Sequence, residues 1–155
     1  MTSDSIITLT GTIVTIIATI ITIYYAQQAK NYKEQIKLDI RKINLSGSSE
    51  RLKRAQDDIR KLPTSTKNIP RGIKVPEIIS NIKSQFDFSL GTIDKDGLDQ
   101  DIRKVLSKAQ KKLNSYELGL NSHSLNPSDL HDLQSLVQDA ISQSNSRIFV
   151  LEGKA

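Results

Sequence analysis

Twenty-five consecutive residues, Ser5 to Ala29, carry no charged side chain, and no other stretch restricts the fold as strongly. Within it, Ile6 to Ala26 holds eight Ile together with Leu9 and Val14. As a helix those 21 residues reach roughly 31 Å, the thickness of a bilayer's hydrocarbon core. The ten aliphatic side chains contribute about −3 to −6 kcal/mol to insertion, set against the cost of six Thr. Ile and Thr favour strands in water, but the run far exceeds a typical strand, and a lone strand leaves its backbone unsatisfied in lipid. The reading is a transmembrane helix over 5–29 after a short external tail, 1–4.

A cleavable signal peptide needs a basic leading region and a small-x-small cleavage site, whereas Asp4 is the only charged side chain before this span. The span is therefore read as an uncleaved anchor. Lys30, Lys33, Lys37, Arg41 and Lys42 follow it, which by the positive-inside rule puts the N-terminus outside and the rest in the cytoplasm. The same five cations are placed to meet lipid headgroups or an anionic ligand. Tyr24 and Tyr25 fall at the inner interface.

Within the span, Thr8, Thr12, Thr15, Thr19, Thr22 and Ala26 alternate spacings of four and three, with Gly11 and Ala18 beside them. That repeat places them on one stripe. Small and hydroxylated faces let membrane helices approach closely and exchange hydrogen bonds, so the stripe reads as a self-association seam. Continued into water, the count lands on Ile36, Ile40 and Ile43, where the hydrophobic effect favours pairing. The competing account is that each Thr hydroxyl bonds back to its own preceding turn.

The remainder is read as all-α. Ser46-Gly47-Ser48-Ser49 breaks the first helix, and a second runs to Leu62 with Leu52, Ala55, Ile59 and Leu62 buried; residues 30–62 form basic juxtamembrane helices. Pro63, Pro70 and Gly72 mark 63–75 as a linker. Residues 76–155 form a small helical bundle domain. Pro76 opens its first helix, reaching about Phe88 with Ile78, Ile79, Ile82 and Phe86 inward. Asp96 and Asp99 serve as N-cap and N3 of a helix burying Leu98, Ile102, Val105, Ala109, Leu113 and Tyr116. Asn126-Pro127 opens the last, burying Leu130, Leu133, Val137, Ala140 and Ile141, with Gly119 and Gly153 as stops.

Chemistry-bearing residues are few. With no Cys and 2 His, thiol nucleophiles, thiolate-held metals and three-histidine sites are excluded. Asp94, Asp96, Asp99 and Asp101 miss the calcium-loop register because Gly97 comes fourth rather than sixth. No phosphate loop, dinucleotide fingerprint, zinc-protease or nucleophile-elbow motif is present, and neither His123 nor His131 has a partner fixing a nucleophile and base. No enzyme activity, cofactor or metal is expected.

Charge is uneven, residues 30–62 carrying 10 positive and 5 negative side chains out of 22 and 17 in all. A second basic cluster, Lys104, Lys108, Lys111 and Lys112, lies in one helix, either as a solvated face or as an anionic-ligand face. Two functions are expected to compete. In one, a homo-oligomer uses the Thr face to form a pore or membrane effector controlled by its cytoplasmic domain; in the other, the span anchors an adaptor whose helices bind a protein partner. Nucleic-acid or nucleotide sensing rests on basic charge alone and is the least favoured.

Overall fold

The computed structural model describes residues 3–65, 72, 74–95 and 97–153, with side chains from Leu9 onward. Every regular element among the described residues is helical: α1 (Ser3–Ile59), α2 (Val75–Thr92), α3 (Gln100–Asn121) and α4 (Pro127–Glu152). The chain divides into two compact units, Met1–Ile40 and Arg41–Ala155. The expected N-cap Asp96, residues 66–71 and 73 of the expected linker, Met1 and Thr2 of the expected tail, and the Thr8 side chain lie outside the described residues.

In the first unit, no described side chain is buried: Leu9, Ile13, Ile17 and Ile21 are each about half exposed. By length and composition this helix can cross a membrane, its most apolar window having a mean hydropathy of 1.8. The rings of Tyr24 and Tyr25 meet edge to face, 5.8 Å between centroids.

The second unit is built from faces that repeat every three or four residues. Leu45, Ser48, Leu52, Ala55 and Ile59 are buried on α1; Val75, Ile79, Ile82, Phe86 and Ser89 on α2; Ile102, Leu106, Ala109, Leu113 and Tyr116 on α3. On α4, Leu130, Leu133, Val137, Ala140, Ile141, Ser144 and Leu151 are buried. This spacing averages 3.5 residues, the repeat with which helices pack at shallow angles. Each fully buried Leu or Ile is worth roughly 1.5–3 kcal/mol.

Cross-helix contacts fix neighbours and directions. Ser49 and Gln56 of α1 bond Asn145 and Gln138 of α4, later residues pairing with earlier ones, so the two run antiparallel. Lys83 and Asp87 of α2 meet Glu117 and Gln110 of α3 in the same sense. Lys112 of α3 reaches Asp129 and Asp132 of α4, and Arg51 of α1 stands over the Phe88 ring of α2 at 3.8 Å. One core of four helices results.

The expected break at Ser46–Ser49 does not occur, for α1 is helical through it. Ser48 and Ser49 are buried, and Ser49 Oγ donates to Asn145 Oδ1 at 2.8 Å. Serines favour turns when their hydroxyls compete for exposed backbone; buried between Leu45 and Leu52, they serve as small packing residues instead. Residues 41–62 consequently belong to the bundle rather than to a separate juxtamembrane segment. Leu98, expected inside, is 71% exposed because α3 begins after it, and Leu106 fills the core position instead.

Helix ends follow local chemistry. Pro76 occupies the first turn of α2, with Glu77 beside it, while the buried face reaches Ser89 and the helix continues to Thr92. Asn126 caps α4, its side chain accepting from the Ser128 N–H at 3.1 Å. Gly119 does not stop α3. The helix ends after Asn121 in a Schellman turn, with the Ser124 N–H on Gly119 O at 2.8 Å and the His123 N–H on Leu120 O. His123 takes the left-handed position at φ 54°.

Candidate interaction surfaces

On α1, three hydroxyls of the Thr stripe donate to their own helix: Thr15 to Gly11 O, Thr19 to Thr15 O and Thr22 to Ala18 O, each at 2.8 Å. Such bonds satisfy the donor without a partner helix and leave oxygen lone pairs outward. A side chain built on Gly11 meets nothing within 4 Å, so the stripe keeps an open notch there. Thr12, Ala18 and Ala26 are exposed with it. Ile36 and Ile40 of this unit are 57% and 53% exposed; Ile43, in the second unit, is 69% exposed.

The five cations after the apolar stretch do not behave alike. Lys30, Lys33 and Lys37 are exposed. Arg41 and Lys42, expected at lipid headgroups, are instead taken by the bundle. The Arg41 guanidinium grips Asp99 with two parallel bonds of 2.6 Å, the carboxylate being nearly buried. A fork of this kind matches both planar groups and is stronger than neutral hydrogen bonding. The Asp99 bond raises the Arg41 pKa against the opposing effect of burial. Lys42 pairs with Glu152 at 3.0 Å. Asp99 occupies the N-cap position of α3 but makes no cap bond with its side chain, because Arg41 holds both oxygens.

Lys112 also leaves the face proposed for it. Its ammonium lies 2.8 Å from Asp132 and 3.0 Å from Asp129, tying α3 to α4. The hydrogen bonds it donates to Asp132 and Asp129 raise its pKa, and Lys112 in turn lowers that of Asp132.

Lys104, Lys108 and Lys111 do share one side of α3, at positions i, i+4 and i+7. The structure adds Lys95, from the loop before α3, and Arg103, and the five cations line an open depression of about 540 Å³ with Ser107. Arg103 is placed by backbone: its guanidinium donates to Leu90 O and to Ile93 O, groups at the C-terminal end of α2 that have no helical partner. Lys104 has a loose, exposed contact with Asp101 at 3.7 Å. Lys95, Lys108 and Lys111 have no carboxylate partner among the described residues. Like charges at i, i+4 cost an isolated helix about 0.2–0.5 kcal/mol per pair.

Sequence spacing finds the three stripe lysines but misses Lys95, which the loop before α3 brings alongside. His123 and His131 are exposed. No group of three or more His, Asp or Glu among the described residues converges on a metal-sized site. No protein-family model, curated protein or solved structure matches this chain.

Proposed function

We propose that the chain is a single-pass membrane protein, a tethered adaptor that self-associates through the Thr-striped face of α1 and offers its four-helix bundle to a protein partner. One observation carries this reading: from Leu9 to Tyr25 every side chain of α1 is exposed. Isolated apolar residues on a surface are ordinary, but a continuous sleeve of this length needs lipid around it. Exposed Lys30, Lys33 and Lys37 at its end support a cytoplasmic bundle, each gaining about 1 kcal/mol beside anionic headgroups.

The own-turn bonds of Thr15, Thr19 and Thr22 support an anchor over a water-lined path, since a hydroxyl with its donor satisfied is at ease against lipid or a packed neighbour. The open notch at Gly11 supports close approach of a second copy.

Single cysteines at Thr12, Thr15, Ile16, Ile17 and Thr19, oxidised in native membranes, test both parts. The native chain contributes no background because it has no Cys. Resistance to alkaline carbonate extraction, with disulfide dimers strong at the Thr positions and weak at Ile16 and Ile17, is expected. Release by carbonate removes the membrane reading, and uniform cross-linking removes the seam. Ion flux above background in liposomes replaces the adaptor with the pore.

A further inference from the structure

We infer that the depression lined by Lys95, Arg103, Lys104, Lys108 and Lys111 is a binding site for a group carrying two or more linked phosphates. The inference does not depend on membrane insertion, and its failure leaves that reading untouched.

Ion pairing is uneven across the bundle. Elsewhere in the bundle most described cations meet carboxylates, Arg51, Lys53 and Arg147 excepted, and four do so from one element to another: Arg41 with Asp99, Lys42 with Glu152, Lys83 with Glu117, Lys112 with Asp129 and Asp132. Those bonds fasten one helix to another. In the depression three lysines have no carboxylate among the described residues, and Lys104 has only an exposed contact. Arg103 meets backbone carbonyls, which neutralise no charge. Clustered cations around a concave surface focus a positive field and raise the local concentration of anions.

The depression is also elongated. Lys104 to Lys111 spans about 10 Å along α3, longer than one phosphate needs, whereas linked phosphates or a bisphosphate headgroup place charges along such a line. Arg103 and Lys95 close one end, and the Ser107 hydroxyl offers a neutral donor in the middle. Lysine ammonium groups act as mobile point charges, suited to phosphates of varied orientation. A volume of about 540 Å³ falls in the range of small-molecule sites. No aromatic residue lines the depression, so it lacks the stacking platform that single-stranded nucleic acids use. Asp87 and Asp94, lining the adjoining hollow that shares Lys95 and Arg103, mark where the positive surface ends.

Tripolyphosphate titrated into the full chain, held in neutral phosphatidylcholine nanodiscs at moderate salt, tests the site. Lys108→Gln with Lys111→Gln is compared with Lys53→Gln and Lys61→Gln, which remove equal charge elsewhere on the bundle. Saturable binding, weakened about tenfold by the first pair and changed less than about twofold by the second, is expected. Nanodiscs containing a phosphoinositide bisphosphate identify the source: loss of tripolyphosphate binding there assigns the site to a lipid headgroup, and unchanged binding assigns it to a free phosphate compound. Absence of saturable binding, equal weakening by both pairs, or tighter binding of a single-stranded oligonucleotide overturns the inference.

Discussion

Arg41 and Asp99, 58 residues apart in sequence, are joined by two 2.6 Å bonds between a partly shielded guanidinium and an almost buried carboxylate. Removing one partner strands the other. Arg41→Met is expected to destabilise the bundle by roughly 2–3 kcal/mol, while Arg41→Met with Asp99→Leu recovers much of it, because the second change removes the uncompensated charge. Thermal unfolding of the full chain in detergent, followed by circular dichroism, checks both; a lowering of the midpoint by roughly 10 °C is expected for the single variant.

The Tyr116 hydroxyl, buried, donates to Pro63 O at 2.7 Å. Burial pushes its pKa up to about 12, against about 10 in an unfolded chain. The folded state thus keeps the proton longer, so this contribution is complete below about pH 10 and declines as pH rises toward 12. Absorbance titration is expected to show one phenol ionising near pH 12 that vanishes in Tyr116→Phe. The same variant should lose roughly 1 kcal/mol at neutral pH by leaving a carbonyl unpaired.

Ser48 Oγ is buried without a hydrogen-bond partner among the described residues. Ser48→Ala removes that hydroxyl and improves helix propensity, so a gain of about 1 kcal/mol is expected in chemical unfolding. Ser48→Leu, which forces added volume into the α1 face, should instead lose roughly 1–3 kcal/mol.

At the end of α3 the opposite substitutions have opposite signs. A Cβ on Gly119 would stand 2.9 Å from the Ser124 backbone oxygen, and Gly119→Ala is expected to cost about 1–2 kcal/mol despite alanine's better helix propensity. His123→Gly relieves a left-handed residue and should gain about 0.5–1 kcal/mol. Midpoints of urea unfolding for the two variants should fall on either side of the parent.

What could be read from sequence follows from how far apart the determining residues are. The apolar sleeve and the buried faces of Leu52 to Ile59, Ile79 to Phe86 and Leu130 to Ile141 are local patterns, and they were legible because helical spacing alone separates inside from outside. Ser46 to Ser49 misled because turn preference is also local, whereas the surface that buries Ser49 arrives with Asn145. Asp99, read as the N3 residue after a cap at Asp96, takes the N-cap position itself and gives its carboxylate to Arg41 of α1, a partner that local spacing does not reveal. Lys108 and Lys111 were legible as a stripe, but Lys112, one residue on, turns to Asp129 and Asp132, and the loop carrying Lys95 closes the depression. Tertiary neighbours, rather than propensity, decided each of these.

The antiparallel pairing of α1 with α4 also sets a timetable. Ser49 leaves the ribosome 96 residues ahead of Asn145, whose Oδ1 accepts its hydrogen bond. At bacterial or eukaryotic elongation rates that interval lasts about 5–20 s, during which Leu45, Leu52 and Ile59 have no fourth helix to cover them. For those seconds the first three helices form an open trough, and this is the interval in which chaperone capture or pairing with a neighbouring nascent copy competes with closure.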